Sequence, residues 1–122
     1  MEKHICIRLE ADVSQIMDCR SSIVGLEKPL TLVAEVLNLA GNKVRLQILH
    51  LLQREERLCV CDLSDILEMN VSAISQHLRK LKDRNLIYAT KDAQTIFYAL
   101  NKDKLSILNP ILNLLNTENI SV

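Results

Sequence analysis

The chain has 122 residues, of which 48% are apolar and only 2% aromatic, with two glycines and two prolines. This length supports one domain with a real core, and the shortage of turn residues disfavours an all-β fold. Fifteen basic residues balance fifteen acidic ones, so any contact with nucleic acid must come from a local basic patch. No apolar run suggests a membrane span or a signal peptide, which predicts a cytoplasmic protein without a membrane partner.

The first 28 residues have no clean apolar period and are expected to form an N-terminal arm. The arm carries Cys6 and Cys19, and a short helix is expected over 12–19, capped by Asp12 or Ser14. Because cytoplasmic thiols stay reduced, the four cysteines of the chain are more consistent with metal ligands, redox groups or small apolar side chains than with disulfides.

Residues 29–118 are expected to form a second region, for DNA binding and dimerisation. The apolar spacing predicts four helices in its first part, at 30–39, 43–53, 60–67 and 72–84. Pro29 suits the first turn of the first of these, and Ser72 is the expected N-cap of the fourth. The third is expected to bury Ile66 among its apolar residues.

Beyond residue 85 the apolar period changes from that of a helix to that of a strand. Two strands are expected over 86–90 and 95–100, joined by a turn over 91–94. A last helix is expected over 102–115, bent or split near Asn109 by Pro110. The predicted fold class is therefore mainly α with a β-hairpin wing, the winged helix-turn-helix plan.

The fourth helix has one apolar face and one polar face suited to DNA. Ile74, Leu78 and Leu81 are expected to face the core. The residues predicted to contact DNA are Ser72, Ser75, Gln76, Arg79, Lys80 and Lys91. Glutamine can pair with adenine and arginine with guanine, and the segment 71–91 has five basic residues against one acidic, a net charge of +4. An ordinary solvated helix is the alternative, and the hairpin that follows favours DNA.

His77 lies at the edge of the apolar face. It is expected to serve in packing or hydrogen bonding rather than as a contact to DNA or a metal.

Cys59 and Cys61, within Leu58-Cys59-Val60-Cys61-Asp62-Leu63, are candidate ligands for a soft metal or metalloid. Residues two apart on a regular helix point about 200° away from each other. The two thiols can therefore bind one ion together only at an irregular helix start, or with partners from elsewhere in the protein.

Several segments together carry a family resemblance. They are Asn42-Lys43-Val44-Arg45-Leu46-Gln47-Ile48-Leu49, the cysteine segment 58–63, Ser72-Ala73-Ile74-Ser75-Gln76-His77-Leu78-Arg79-Lys80-Leu81, and Phe97-Tyr98-Ala99-Leu100. With these segments the chain resembles the ArsR/SmtB family of metal-responsive bacterial repressors, although Arg57 stands where the family's cysteine box begins with glutamate. The resemblance implies a homodimer built through the first and last helices. The dimer would bind double-stranded operator DNA and be released by Cd(II), Pb(II), Zn(II), Hg(II) or arsenite.

The resemblance also implies ligands beyond Cys59 and Cys61. In the cadmium and lead branch, two closely spaced N-terminal cysteines close over the box, whereas twelve residues separate Cys6 from Cys19 here. We expect Cys6 or Cys19 as the third ligand, with His4 as a possible substitute. The family's second site would fall on Lys102, Lys104, Leu115 and Glu118. Three of these cannot bind a cation, so no site for a pure zinc sensor is expected there.

Three hypotheses about function follow. The leading one is a repressor released when a soft ion binds cysteine thiolates. The alternative is a thiol redox or sulfide sensor on the same fold, and the third is a protein-interaction module without an operator. No phosphate loop or nucleophile motif is present, so neither an enzyme nor an organic cofactor is expected. An ion at Cys59 would fix the start of the third helix and thereby change the spacing of the two DNA-reading helices in the dimer.

Overall fold

The computed structural model describes residues 5–116. Its α-helices are α1 (Val13–Gly25), α2 (Glu27–Ala40), α3 (Lys43–Arg54), α4 (Val60–Leu67), α5 (Val71–Asp83) and α6 (Leu105–Asn113). Its strands are β1 (Leu58–Cys59), β2 (Ile87–Asp92) and β3 (Thr95–Leu100). The predicted fold class, mainly α with a β-hairpin wing, is confirmed. Among the described residues, no helix has the length and apolar content needed to cross a membrane.

The chain divides into two units, Met1–Leu32 and Val33–Val122, with the boundary inside α2. In the first unit, the Asp12 carboxylate accepts a hydrogen bond from the Gln15 amide at 3.0 Å and caps α1, one of the two caps expected. The helix runs to Gly25, well beyond the predicted end. None of its residues is buried in the single chain, so no contact with a core marks the length of this helix.

The core of the second unit is formed by the C-terminal part of α2, by α3, α4, α5 and the strands, and by α6, which closes it. Its fully buried side chains include Ile48, Leu63 and Leu108, together with the three predicted core residues of α5. Burying one such side chain contributes about 1.5–3 kcal/mol to folding. Ile66, predicted to be buried, is 50% exposed, because the short α4 turns only part of its surface towards the core.

The turn between α4 and α5 places α5 against the core. Glu68 ends α4 in the left-handed conformation, with φ of 54°. Helix α5 then begins at Val71, one residue earlier than predicted, and its N-cap is Asn70, whose Oδ1 accepts from the Ala73 amide at 2.8 Å. The prediction that Ser72 caps this helix is wrong, since Ser72 lies inside the helix.

The wing is the hairpin of β2 and β3, which pair antiparallel from Ile87↔Leu100 to Asp92↔Thr95. Its turn has only two residues, Ala93 and Gln94, so Lys91 lies in β2 and not in the predicted four-residue turn. Strand β1 was not predicted from the sequence. It pairs antiparallel with β3, with Cys59 opposite Phe97, and gives the sheet order β1-β3-β2.

The last helical segment begins with a 3₁₀ turn, Lys102–Lys104, before α6. Pro110 lies inside α6, which continues through it, so the helix is not split near Asn109. Proline removes the amide that would bond to the Ser106 carbonyl. Ser106 is exposed, so water can satisfy that carbonyl.

Candidate metal centre and DNA-binding surface

Helix α5 and the wing present the predicted DNA contacts to solvent. All of these side chains are exposed: Ser72, Ser75, Gln76, Arg79, Lys80 and Lys91. On the opposite face of α5, Ile74, Leu78 and Leu81 are completely buried and hold the helix to the core. The helix therefore separates an anchoring face from a polar face, as a DNA-reading helix must.

The charge of this surface is positive. Arg79, Lys80 and Lys82 lie along α5, and Lys91 adds a positive charge on the wing. Arg84, just after α5, is 4.0 Å from the Glu35 carboxylate and is partly neutralised by it. The cations of α5 and the wing are thus the ones best placed to attract phosphates.

His77 lies on α5 but contacts α3, which fits the packing role predicted for it. Arg45 Nη1 is 3.4 Å from His77 Nδ1, and because a guanidinium only donates, the ring nitrogen accepts. Arg45 Nε also donates to the Leu39 carbonyl at 2.6 Å. Burial, and secondarily the charges of Arg45 and Lys80, hold the pKa of His77 below its usual value.

The two central cysteines occupy an irregular helix start. Cys59 ends β1 in an extended conformation, with φ of −91° and ψ of 171°, and serves as the N-cap of α4. Cys61 is the second residue of the helix and is exposed. The divergence of about 200° between residues two apart on a regular helix does not hold for the two thiols, because Cys59 is not helical.

A capping box fixes Cys59. Its amide donates to Asp62 Oδ2 at 3.1 Å, and the Asp62 amide donates to Cys59 Sγ at 3.5 Å. The first of these bonds is the larger cause that holds the pKa of Asp62 below its usual value, and the Cys59 side chain adds to it. The spacing of Cys59 and Asp62 matches the sequence pattern of such a box, with a thiol in place of the usual hydroxyl. That pattern could have revealed the cap before the structure did.

Both thiols line one open groove. The groove is shared with Ser75 of α5, Gln94 of the wing turn, and Ile96 and Tyr98 of β3. The candidate ligands therefore lie beside a predicted DNA contact and beside the wing.

Two thiols do not complete a metal site. Among residues 5–116, no group of three or more His, Cys, Asp or Glu side chains is assembled that could hold an ion. All four cysteines are free, with Cys6 exposed before α1 and Cys19 exposed on α1. His4 and Glu118 lie outside the described residues. The thiol pair fits a soft ion in chemistry, but further ligands must join Cys59 and Cys61.

Comparison with known proteins identifies the family. The profile described as "Bacterial regulatory protein, arsR family" matches residues 42–89, which run from the start of α3 into β2. The transcriptional activator HlyU of Vibrio cholerae is 38% identical over 88 residues, covering 72% of this chain and 81% of HlyU. The chain belongs to the ArsR family of bacterial regulatory proteins. The structure of reduced HlyU from Vibrio cholerae N16961 superposes with a TM-score of 0.67, at 34% identity, over 80% of this chain and 98% of HlyU.

Two further relatives are named for resistance to toxic ions. The cadmium resistance regulatory protein CadC of Listeria innocua is 28% identical over 105 residues, covering 86% of this chain and 87% of CadC. The arsenical resistance operon repressor of Staphylococcus aureus is 33% identical over 87 residues, covering 71% and 83%. The predicted family and winged helix-turn-helix fold are confirmed, and the protein is a transcriptional regulator rather than an enzyme.

Proposed function

We propose that this ArsR-family regulator is a repressor that senses a soft metal or metalloid ion through Cys59 and Cys61. In the absence of the ion it binds operator DNA through α5 and the wing, and it is released when the ion is bound. The observation that carries this proposal is the shared groove, in which both thiols stand next to Ser75 of the DNA-reading helix.

The donor chemistry favours particular ions. Thiolates are soft ligands, which suit Cd(II), Pb(II), Hg(II) and arsenite, and they also bind Zn(II). The relatives named for cadmium and arsenical resistance support this choice. The bound ion supplies positive charge that holds several thiolates together. We propose Cys6 or Cys19, from either subunit of a dimer, as the third ligand.

A homodimer is part of the proposal, because a single α5 reads only one major groove. Two copies bind half-sites about 34 Å apart, one helical turn of DNA. Both segments that the resemblance assigns to dimerisation expose apolar side chains. These are Val13, Met17 and Val24 of α1, and Leu114 and Leu115 after α6.

The decisive experiment follows ion binding and DNA release together. The reduced protein on labelled operator DNA is titrated with Cd(II), Pb(II), Hg(II), Zn(II) and arsenite, while thiolate absorption and fluorescence anisotropy are recorded. We expect at least one soft ion to produce both signals. In Cys59→Ser, a serine hydroxyl still caps α4, so DNA binding should persist while ion-induced release is lost. Normal release in this variant would refute the proposal.

A redox or sulfide sensor is the second candidate, because the four cysteines are free and three of them are exposed. It predicts that an oxidant or polysulfide releases DNA in the presence of a metal chelator and that a reductant restores binding. That outcome, with no response to any ion, would replace the metal proposal. Failure to retard any promoter DNA at low salt would instead favour a protein-interaction module.

A further inference from the structure

Arg57 makes two contacts with the wing from its position just before β1. Its guanidinium carbon lies 3.9 Å from the centre of the Phe97 ring, and its Nη2 is 3.1 Å from Asp92 Oδ2. Phe97 is the residue of β3 that pairs with Cys59. Asp92 ends β2 beside Lys91, at the tip of the wing. One side chain therefore reaches both the middle and the tip of the hairpin.

These contacts add to the short ladder between β1 and β3. Arg57 and Asp92 are each about half exposed, and an exposed ion pair alone contributes little. The planar guanidinium, however, can stack on Phe97 and pair with the carboxylate at the same time. The combination restricts the direction of the wing more than either contact would.

We propose that Arg57 is a positioning residue that ties the thiol segment to the wing, so that Cys59 and Lys91 move as one unit. The inference rests on the proposed function, and it adds a route from the thiols to DNA that does not pass through α5. A change at Cys59 is carried through β1 and Arg57 to the wing tip. A glutamate at position 57, as in the family pattern, would repel Asp92 and could not form this link.

Asp92 can affect DNA binding through its charge or by positioning the wing, and the two possibilities predict opposite effects of removing the carboxylate. Removing a negative charge near DNA should tighten binding if electrostatics dominates. If Asp92 holds Arg57 and thereby the wing, Asp92→Asn should weaken binding. This difference in sign makes the proposal testable without any ion.

The experiment compares Arg57→Gln, Asp92→Asn and the double variant in the reduced, ion-free protein. Arg54→Gln is the matched control, since Arg54 is an exposed cation that pairs with Glu55 at 3.3 Å, away from the wing. We expect each single variant to weaken operator binding about 3-fold. The double variant should bind operator no more weakly than Arg57→Gln does. The control should change operator binding less than about 1.5-fold. Hydrogen exchange of the 87–100 amides should rise about 3-fold in the same variants.

Several results would overturn the proposal. They are tighter binding by Asp92→Asn, additive losses in the double variant, or equal effects of Arg57→Gln and Arg54→Gln. With ion present, Arg57→Gln should leave the thiolate absorption titration unchanged. The factor by which the ion weakens DNA binding should drop about 3-fold. If no ion releases the wild-type protein, the proposed function fails, and the exchange and DNA measurements still decide the role of Arg57.

Discussion

At the scale of single residues, His77 joins α5, the proposed DNA-reading helix, to α3 through Arg45. The ring must be neutral to accept from the guanidinium, and its burial also disfavours the charged form. The stability that depends on a neutral ring is fully present above the unfolded pKa of about 6.5. This stability is lost as the pH falls through the lower pKa that His77 has in the folded protein.

We predict that His77→Asn removes part of the acid sensitivity of this protein. The asparagine oxygen can accept from Arg45 as Nδ1 does, but it does not titrate. Urea unfolding midpoints measured between about pH 7 and pH 5 should fall less steeply in the variant than in the wild type. His50→Asn is the control, since His50 is an exposed residue of α3. Equal slopes in the wild type and His77→Asn would show that His77 does not titrate in this range.

Cys59 is the N-cap of α4 and a proposed metal ligand, and the sequence suggested only the second of these. Its thiol was predicted as a ligand from residue type, because sulfur binds soft ions. Its function as the N-cap of α4 depends on Asp62, which orients the backbone so that Cys59 leaves the helix. The sequence predicted only that the two thiols could bind one ion together if the helix start were irregular. The structure shows such an irregular start at Cys59.

At the scale of elements, α5 depends on a cap that differs from the predicted one. We expect Asn70→Ala to lower the free energy of unfolding by about 1 kcal/mol, because the Ala73 amide loses its acceptor. Ser72→Ala is the matched variant. It should change stability by less than about 0.5 kcal/mol yet weaken operator binding by up to about 1 kcal/mol.

Urea denaturation and fluorescence anisotropy separate these two effects. If Ser72→Ala were the more destabilising substitution, the assignment of the cap to Asn70 would be wrong. The sequence led to Ser72 instead of Asn70 because asparagine and serine are about equally good caps, so residue type does not decide between them. Only the hydrogen bond distinguishes them.

At the scale of the whole molecule, the proposed function requires a homodimer, and the exposed apolar side chains of α1 are its proposed contact surface. We predict that Met17→Glu, at a side chain 59% exposed on α1, weakens the homodimer at least about 10-fold and reduces operator binding with it. Glutamate is a good helix former, so α1 itself should persist. Sedimentation equilibrium and operator titration are the measurements.

The control for this prediction is Ile66→Glu on α4, an apolar side chain of similar exposure outside the helices assigned to dimerisation. It should leave the association constant unchanged. An unchanged dimer in Met17→Glu, or equal weakening by both variants, would move the interface away from α1.

The amino-acid sequence alone determined the helices α3 to α5 and the buried face of α5. The reason is that Ile74, Leu78 and Leu81 recur at helical spacing. This spacing by itself predicts both the helix and the face that it buries. Residue type likewise determined that the thiols suit a soft ion. These features depend on neighbours a few positions away along the chain.

The tertiary structure alone decided how the cysteines meet the wing. Strand β1 has two residues, too few to show a period, and its partner β3 lies almost 40 residues further on. The contacts of Arg57 with Phe97 and Asp92, and the groove that joins Cys59 and Cys61 to Ser75, come from the same pairing. Such contacts form only when distant segments are brought together by the shared core, which is why no local pattern predicted them.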